Sequence, residues 1–471
     1  MNVNLSATGT WRIEKTNQQY YGDLYLNKDE GGIILYIRIP KSGSIRSNLE
    51  LPLTISFITG FTANGAEITL VDCERKSTEI RIGSEVVFGY QAKFMLIGAK
   101  FEKEEDISFT KMTISIPGII QWGDTSNYVS PYLGDRENLI GLKIIEPIEI
   151  YSCDDYTLSY DLTFSSPFEL MTEEMNLKQT PYLIIEAQSD QTLEWFMKIA
   201  NQMKGLIEIA MGNPLGFDSM VVESPEIYYD VEYDKKIIRP LEVVHAFKQN
   251  INKGNNDKRM LKHDILFNLS ELSQADFPKW QEISSIMEPI IELYIDSLYN
   301  RELSVSRHFL NMVQALETYH SRRITYSLSD FKKRVEQLLV IRPEAFREQD
   351  QKFLLEGCRD FVTLRCRLAD LILADFRFIF HSGDFKLTEF PQIVSKTRNY
   401  YTHYNQNLEN KVLKGEELIN AFHILRNILE FYLLKEFGFK EEFIHDRIRE
   451  RIRPVMTNIK IKKADKNKWY K

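Results

Sequence analysis

The chain has 471 residues, of which 43% are hydrophobic and 12% aromatic, and its formal net charge is −8. This length exceeds what a single hydrophobic core usually supports, so two or three domains are expected. A chain of this charge is not one that coats nucleic acid non-specifically, so a nucleic-acid substrate would need a local basic site. The four cysteines form no CxxC pair, which argues against a disulfide framework or a zinc site.

Residues 1–170 have the composition of β-strands. Their short segments are rich in β-branched and aromatic residues and are bounded by Gly, Asn, Asp or Ser, which predicts an antiparallel sandwich-like or barrel-like fold. The predicted strands are 19–26, 32–39, 55–59, 66–73, 80–90, 94–101 and 107–116. A helix is expected over 191–209 and strands at 220–222 and 227–231, so the N-terminal half is α+β.

Helical periodicity dominates after the polar stretch 250–259. The predicted helices are 278–299, 302–322, 329–341, 348–357, 360–380, 391–404, 415–437 and 441–453. Their broad apolar stripes predict a compact all-α bundle. We therefore expect a multidomain α+β protein, with a β-rich domain over residues 1–275 and a helical domain over residues 276–471 that ends in a basic tail.

No segment has the pattern of a secretory signal or a membrane span. The N-terminus lacks a basic region followed by an apolar run. The longest apolar stretch, residues 368–380, is interrupted by Asp370, Asp375 and Arg377, which argues against insertion in a bilayer. We expect a soluble, cytoplasmic protein.

The hexapeptide RNYYTH, residues 398–403, offers chemistry that little else in the sequence does. Cleaving RNA without a metal requires proton transfer from the 2′-hydroxyl, proton transfer to the leaving oxygen, and a cation for the phosphorane. His403 suits the proton transfers and Arg398 the cation. Asn399 is four residues before His403 and shares its helix face, so its amide could orient the imidazole. Arg398 lies roughly 140° from His403 around a helix, so a two-fold dimer would be needed to complete the site.

Spacing alone leaves two interpretations open for this motif: a catalytic pair, or ordinary surface groups on an amphipathic helix. A similar pair, Arg239 and His245, has Pro directly after the Arg and no polar neighbour, so we treat it as a coincidence. Glu317 and His320 lie three residues apart but have no matching cluster, so no metal site is predicted. His320 is instead expected to act as a cation at a helix C-terminus.

The segment from Arg301 to Phe437 resembles the HEPN domain of the ApeA family, a set of prokaryotic anti-phage defence proteins. The similarity is carried by residues 307–320 (RHFLNMVQALETYH) and by the motif Arg398-Asn399-x-x-x-His403, which is followed by a long helix. The N-terminal half is similar to the domain that accompanies HEPN in that family. The residues that carry this second likeness are Gly9-Thr10-Trp11, Val71-Asp72-Cys73 and Met211-Gly212-Asn213-Pro214.

The resemblance implies a metal-independent endoribonuclease that forms a homodimer or a higher homo-oligomer through its helices. Its role would be abortive infection, in which host or phage RNA, such as tRNA or mRNA, is cut. Catalytic roles are carried over to Arg398, Asn399 and His403, and no cofactor is implied. RNA contacts are predicted at Tyr400, Tyr401, Tyr404 and Lys396, where the tyrosines could stack on bases.

The catalytic motif lies in the C-terminal half, so we expect the N-terminal domain to be where a phage-derived trigger is sensed. Two alternatives to the ribonuclease remain open. One is a non-catalytic dimeric sensor or binding protein whose HEPN bundle only mediates association. The other is a carbohydrate-binding sandwich with a helical appendage.

Overall fold

A computed structural model describes most of the chain. The described residues are 5–13, 18–27, 32–40, 51–81, 85–129, 141–165, 176–231, 235–246, 262–274, 276–300, 303–324, 336–337, 340, 362–380 and 385–453. The chain divides into two compact units, one of residues 1–204 and 215–258 and the other of residues 205–214 and 259–471. The domain boundary that we predict between residues 275 and 276 stays a prediction.

The first unit is built from antiparallel strands, as predicted. The first eight described strands are β1 (Leu5–Ile13), β2 (Gln19–Asn27), β3 (Gly32–Pro40), β4 (Thr54–Thr62), β5 (Glu67–Arg81), β6 (Glu85–Ile97), β7 (Phe109–Ser115) and β8 (Tyr128–Val129). The others are β9 (Gly141–Leu142), β10 (Ile148–Ser152), β11 (Tyr156–Phe164), β12 (Gln179–Gln191), β13 (Ser219–Glu223), β14 (Tyr228–Val231), β15 (Lys235–Ile238) and β16 (Leu241–His245).

Six of these strands close into a ring. Strand β1 pairs with β2 and β4, β2 with β3, β3 with β6, β6 with β5, and β5 with β4. Because side chains alternate between the two faces of a strand, one apolar side of each strand points into the ring. Trp11, Leu24, Leu35, Leu70 and Phe88 belong to the buried cluster that results.

Trp11 has close backbone neighbours inside this cluster. It is fully buried, and its Nε1 donates to the carbonyl oxygen of Gly22 at 3.2 Å. A Cβ added to Gly60 would lie 2.2 Å from a carbon of the indole ring. Glycine at position 60 is therefore required by the close approach of the indole to β4.

The sheet continues beyond the ring through β6. The end of β6, from Phe94 to Ile97, also pairs with β16, and the order then runs β13, β7, β12, β11 and β10. The separate strands predicted at 80–90 and 94–101 are wrong, because β6 runs without a break from Glu85 to Ile97. Its polar residues near the predicted break alternate with buried Ala92 and Phe94, so they fit the pleat and do not interrupt it.

The helices lie in both halves of the sequence. They are α1 (Ile120–Gly123), α2 (Leu193–Met211), α3 (Phe277–Tyr299), α4 (Val305–Arg323), α5 (Leu364–Leu371), α6 (Phe390–His403) and α7 (Gly415–Glu436), followed by α8 at residues 441–453. Short 3₁₀ helices cover Lys262–Asp264, Leu269–Gln274, Ala374–Phe380 and Gln406–Lys411. The predicted helices at 329–341 and 348–357 lie outside the described residues, apart from 336–337 and 340, which are helical.

The single helix predicted over 360–380 is wrong. Helix α5 ends at Leu371, and Ile372 adopts an extended backbone with φ −91° and ψ 91° before the 3₁₀ helix. The hydroxyl of Tyr432 donates to the carbonyl oxygen of Leu371 at 2.7 Å in the interior. That bond satisfies a carbonyl that a continuing helix would have used itself.

A buried charge cluster joins α3, α7 and α8. Glu430 is fully buried, and one of its oxygens accepts from Tyr294 at 2.6 Å, Arg426 at 2.9 Å and Arg451 at 3.1 Å. Burial alone would raise the pKa of this carboxyl, but the guanidinium groups of Arg451 and Arg426 outweigh it and lower the pKa to about 2. The carboxylate is therefore charged at neutral pH and holds three helices together.

Candidate active site

Helix α6 carries the predicted motif, and local signals define its two ends. Pro391 lies in the first turn, where a missing N–H costs nothing. Tyr404 adopts the left-handed conformation, with φ 49° and ψ 39°, and its N–H donates to the carbonyl oxygen of Tyr400 at 2.6 Å. The buried residues Phe390, Val394 and Thr397 recur at helical spacing, so the opposite face of the helix is turned to solvent.

Arg398 points toward α4. Its Nη2 lies 3.5 Å from Oε2 of Glu317, and the side chains of both residues are about one-third exposed, at 34% and 33%. Its Nη1 donates to Oδ1 of Asn399 at 3.3 Å. The guanidinium is thus held between a carboxylate on α4 and an amide on its own helix.

A groove of about 780 Å³ runs beside Arg398, lined mainly by one face of α4. Four arginines line it, and we call it the arginine groove: Arg307, Arg322, Arg367 and Arg398. Glu317 is the acidic residue in its lining. The groove was not predicted from the sequence, although polar residues of α4 recur at intervals of three or four residues, namely Arg307, Asn311, Gln314, Thr318 and Arg322.

His403 and Asn399 lie on the exposed side of α6. Among the described residues the imidazole of His403 makes no hydrogen bond, and the side-chain amide of Asn399 accepts from Arg398 rather than contacting the imidazole. His403 does not line the arginine groove, whereas Arg398 does. Within one chain the two groups therefore face different surroundings.

The predicted RNA-contacting tyrosines form a cluster at the end of α6. The ring of Tyr400 lies 5.2 Å from that of Tyr401 and 5.8 Å from that of Tyr404. Tyr404 is 67% exposed, whereas Tyr401 donates from its hydroxyl to the carbonyl oxygen of Leu413 at 3.2 Å. Both of these line the arginine groove, and Tyr400 and Lys396 do not.

His320, which we expected to act as a cation at a helix C-terminus, lies in the last turn of α4. It is 1% exposed, its Nε2 lies 3.0 Å from Oδ2 of Asp370, and its Nδ1 lies 3.4 Å from Nη1 of Arg367. These contacts fit the tautomer that donates from Nε2 and accepts at Nδ1. His320 thus holds α5 against α4 and places Arg367 at the groove.

The described part of the chain contains no group of three or more His, Cys, Asp or Glu residues that could hold a metal ion. No helix within the described ranges is both long and apolar enough to cross a bilayer. The basic tail beyond residue 453 lies outside the described residues.

Two family models match the chain. The model of ApeA N-terminal domain 1 matches residues 6–280, and the model of the Apea-like HEPN domain matches residues 310–443. The first of these covers more than half of the 471 residues. The chain belongs to the ApeA family. Searches of curated proteins and of solved structures gave no significant match.

The ApeA assignment confirms the resemblance found in the sequence, and most residues that line the arginine groove belong to the matched HEPN domain. HEPN domains are generally ribonucleases and typically dimerise, so the chain is a HEPN nuclease-type, ApeA-like defence protein at the level of the family. Both Arg398 and His403 fall within the matched HEPN residues, as do three of the four groove arginines.

Proposed function

We propose that this ApeA-family protein is a metal-independent endoribonuclease of anti-phage defence, with a composite site formed by the Arg398-Asn399-x-x-x-His403 motifs of two chains. The observation that carries the proposal is the position of Arg398 and His403, which share one solvent-accessible helix end but lie on different faces. Two such helix ends, related by a two-fold axis, would surround one phosphate with groups from both chains.

In this mechanism His403 of one chain takes the proton of the 2′-hydroxyl, whose oxygen attacks the adjacent phosphorus. The P–O5′ bond breaks, and His403 of the second chain protonates the leaving oxygen. Arg398 stabilises the negative charge that develops on the phosphorane. The products are a 2′,3′-cyclic phosphate and a 5′-hydroxyl end. Asn399 acts as a positioning residue, because its amide accepts from Arg398.

We further propose that the protein acts in the cytoplasm and that the β-rich domain responds to a phage-derived trigger. The support is the family assignment, since the ApeA N-terminal domain accompanies the HEPN domain in this chain. A protein that destroys RNA must be restrained before infection, so nuclease activity is expected to need activation.

The first test is cleavage of RNA by the full-length protein, isolated from infected and uninfected cells. His403→Ala and Arg398→Ala should abolish cleavage without changing the melting temperature or the molar mass in solution, and EDTA should leave cleavage intact. His263→Ala and Arg449→Ala are the matched controls, since both residues are partly exposed and neither lies on α6. Loss of cleavage with EDTA would refute metal independence.

Mixing wild-type protein with the His403→Ala variant tests whether the site is shared between chains. A mixed dimer holds one His403, so it lacks either the base or the acid of the proposed mechanism and should not cleave RNA. After exchange of subunits, cleavage is therefore expected to fall with the square of the wild-type fraction. A fall in direct proportion to that fraction, with subunit exchange verified, would show that each chain acts by itself.

The rival function is a non-catalytic sensor whose HEPN bundle only mediates association. The pairing of Arg398 with Glu317 favours it, because a structural ion pair would also account for this arginine. If this hypothesis holds, defence against phage survives both Arg398→Ala and His403→Ala. If the nuclease hypothesis holds, either substitution abolishes defence while the dimer persists.

A further inference from the structure

The arginine groove has a local charge opposite to that of the chain. The chain carries a net charge of −8, yet four arginines and one glutamate line the groove. Like charges are gathered here at an electrostatic cost that surface residues usually avoid, and an anionic ligand would offset that cost. The concentration of guanidinium groups therefore indicates a binding surface.

Three of these guanidinium groups lack an acidic partner in the described part of the chain. Arg398 pairs with Glu317, but no described carboxylate forms an ion pair with Arg307, Arg322 or Arg367. Arg322 donates to the carbonyl oxygen of Ile286 and Arg367 to that of Val362. Backbone carbonyls orient these side chains without neutralising them, so their charge remains available to a ligand.

The shape of the groove fits a chain of phosphates better than a single one. On α4 its lining extends from Ser306 to Arg322, a distance of about 24 Å at 1.5 Å per residue. Arg307 and Arg322 stand near opposite ends of this path, and Arg367 lies on the neighbouring α5. Tyr404, exposed at the α6 side, offers a ring on which a base can stack.

We propose that the arginine groove binds the phosphodiester backbone of single-stranded RNA, with Arg307, Arg322 and Arg367 contacting phosphates that flank the one at Arg398. This proposal rests on the nuclease function proposed above and adds the path of the substrate. Contacts to phosphates position the RNA but do not read its bases, so the groove is expected to bind RNA of any sequence.

Binding is measured with the full-length His403→Ala protein, which does not cut, and a fluorescent single-stranded RNA between 50 and 200 mM salt. Each of Arg307→Gln, Arg322→Gln and Arg367→Gln should weaken binding about tenfold, as expected for a lost charge-assisted hydrogen bond. Each should also reduce the slope of log Kd against log salt by about 0.7. In the cleaving protein the same changes should raise KM and leave kcat unaltered.

Arg365→Gln is the matched control. Arg365 lies on α5, the helix that carries Arg367, but it is exposed and does not line the groove. It should change neither Kd nor slope. Melting temperatures identify any groove variant that fails to fold. At each position the Arg→Lys variant is measured beside the Arg→Gln variant. Lys keeps the charge, so it should restore the slope of log Kd against log salt.

The outcomes separate the two proposals. If His403-dependent cleavage persists while the groove variants bind RNA as tightly and with the same slope, the groove proposal is refuted and the nuclease stands. If no cleavage is found but the groove variants still bind RNA more weakly, the nuclease proposal fails and the groove is the RNA-binding site of a protein that does not cut. If adenosine monophosphate or inorganic phosphate binds in an Arg307-dependent way while RNA binding is unaffected, the groove takes a small anion and the RNA path is overturned.

Discussion

Glu317 lies in the arginine groove beside the proposed catalytic Arg398, and replacing it with Gln tests whether it restrains the site. Oε2 of Glu317 lies 3.5 Å from Nη2 of Arg398, so in the proposed complex the carboxylate would compete with phosphate for the guanidinium and repel the RNA backbone. Glu317→Gln keeps the size of the side chain and removes the charge. We therefore expect tighter RNA binding and a lower KM, with kcat unaltered because Arg398 is still present.

The structure sets the size of this effect. Two unit charges 3.5 Å apart attract by about 1 kcal/mol in bulk water, and by more where solvent is partly excluded. Both side chains are about one-third exposed, and pairs of this kind contribute about 0.2–1 kcal/mol after screening and loss of side-chain entropy. The expected decrease in KM is thus at most about fivefold at low salt, and it should shrink as salt is added.

The assay is initial-rate cleavage of a labelled RNA by activated protein at low and high salt. Glu292→Gln is the matched control, since it removes the same charge from an exposed residue of α3 outside the groove. An unchanged or higher KM for Glu317→Gln would refute the competition argument. A lower kcat would instead assign Glu317 to positioning Arg398.

Four further substitutions test stability, measured by urea denaturation. Glu430→Gln should cost about 3–5 kcal/mol at pH 7, because it leaves buried guanidinium groups without their carboxylate. The folded-state pKa of about 2 lies below the unfolded value of 4.5, so this stabilisation is present above about pH 4.5 and is lost as the pH falls toward 2. A gap between wild type and variant that stays constant from pH 7 to pH 3 would contradict this assignment. Gly60→Ala should destabilise the β-rich unit by about 1–3 kcal/mol or more, because its Cβ would overlap the indole of Trp11. Gly205→Ala, where the nearest atom to the new Cβ is 3.8 Å away, should stabilise α2 by about 0.5–1 kcal/mol, and equal effects at the two glycines would count against the packing argument. Thr397→Val removes the acceptor of a buried backbone N–H and should cost about 1–3 kcal/mol; no loss of stability would mean that water or another group replaces the hydroxyl.

Most of the helices that the structure describes in the C-terminal half are well predicted, because their signals are local. Proline in the first turn, apolar residues at helical spacing and a break in the pattern place α6 to within one residue at each end. The end of α5 has no local signal of this kind, because it depends on the hydroxyl of Tyr432, which is distant in sequence. An apolar run such as residues 368–380 cannot show by itself where its hydrogen bonds go.

Strands were harder to predict where neighbouring strands decide the pairing. No strand was expected at β11 or β12, yet the two pair along nine residues of each. Only the first half of β12 alternates between buried and partly buried residues, and its end, from Gln188 to Gln191, is polar. Its extended conformation is supported by β11 and β7 on either side, which a periodicity argument does not register.

For the candidate site, the motif can be found in the sequence, but the groove residues that surround Arg398 cannot. Helical spacing separates Arg398 from His403 around the helix, and in the structure the two have different neighbours. Spacing also favours an Asn399–His403 contact, but the long side chain of Arg398 reaches the amide instead. The remaining groove arginines could not be grouped in advance, because only the packing of α5 and α6 against α4 brings them together.

Closure of the six-stranded ring also determines where another chain could join the sheet. A strand at the end of an open sheet presents unpaired N–H and C=O groups to any extended segment nearby. Strand β5 is last in the twelve-strand order, but it pairs with both β4 and β6. It therefore presents no row of unpaired backbone groups at that end of the sheet. Among the described strands the terminal edge is β10, which is only five residues long and changes register between Glu149 and Tyr151. An irregular, short edge is a poor template for strand addition, so the sheet is protected against edge-to-edge aggregation when the protein is abundant.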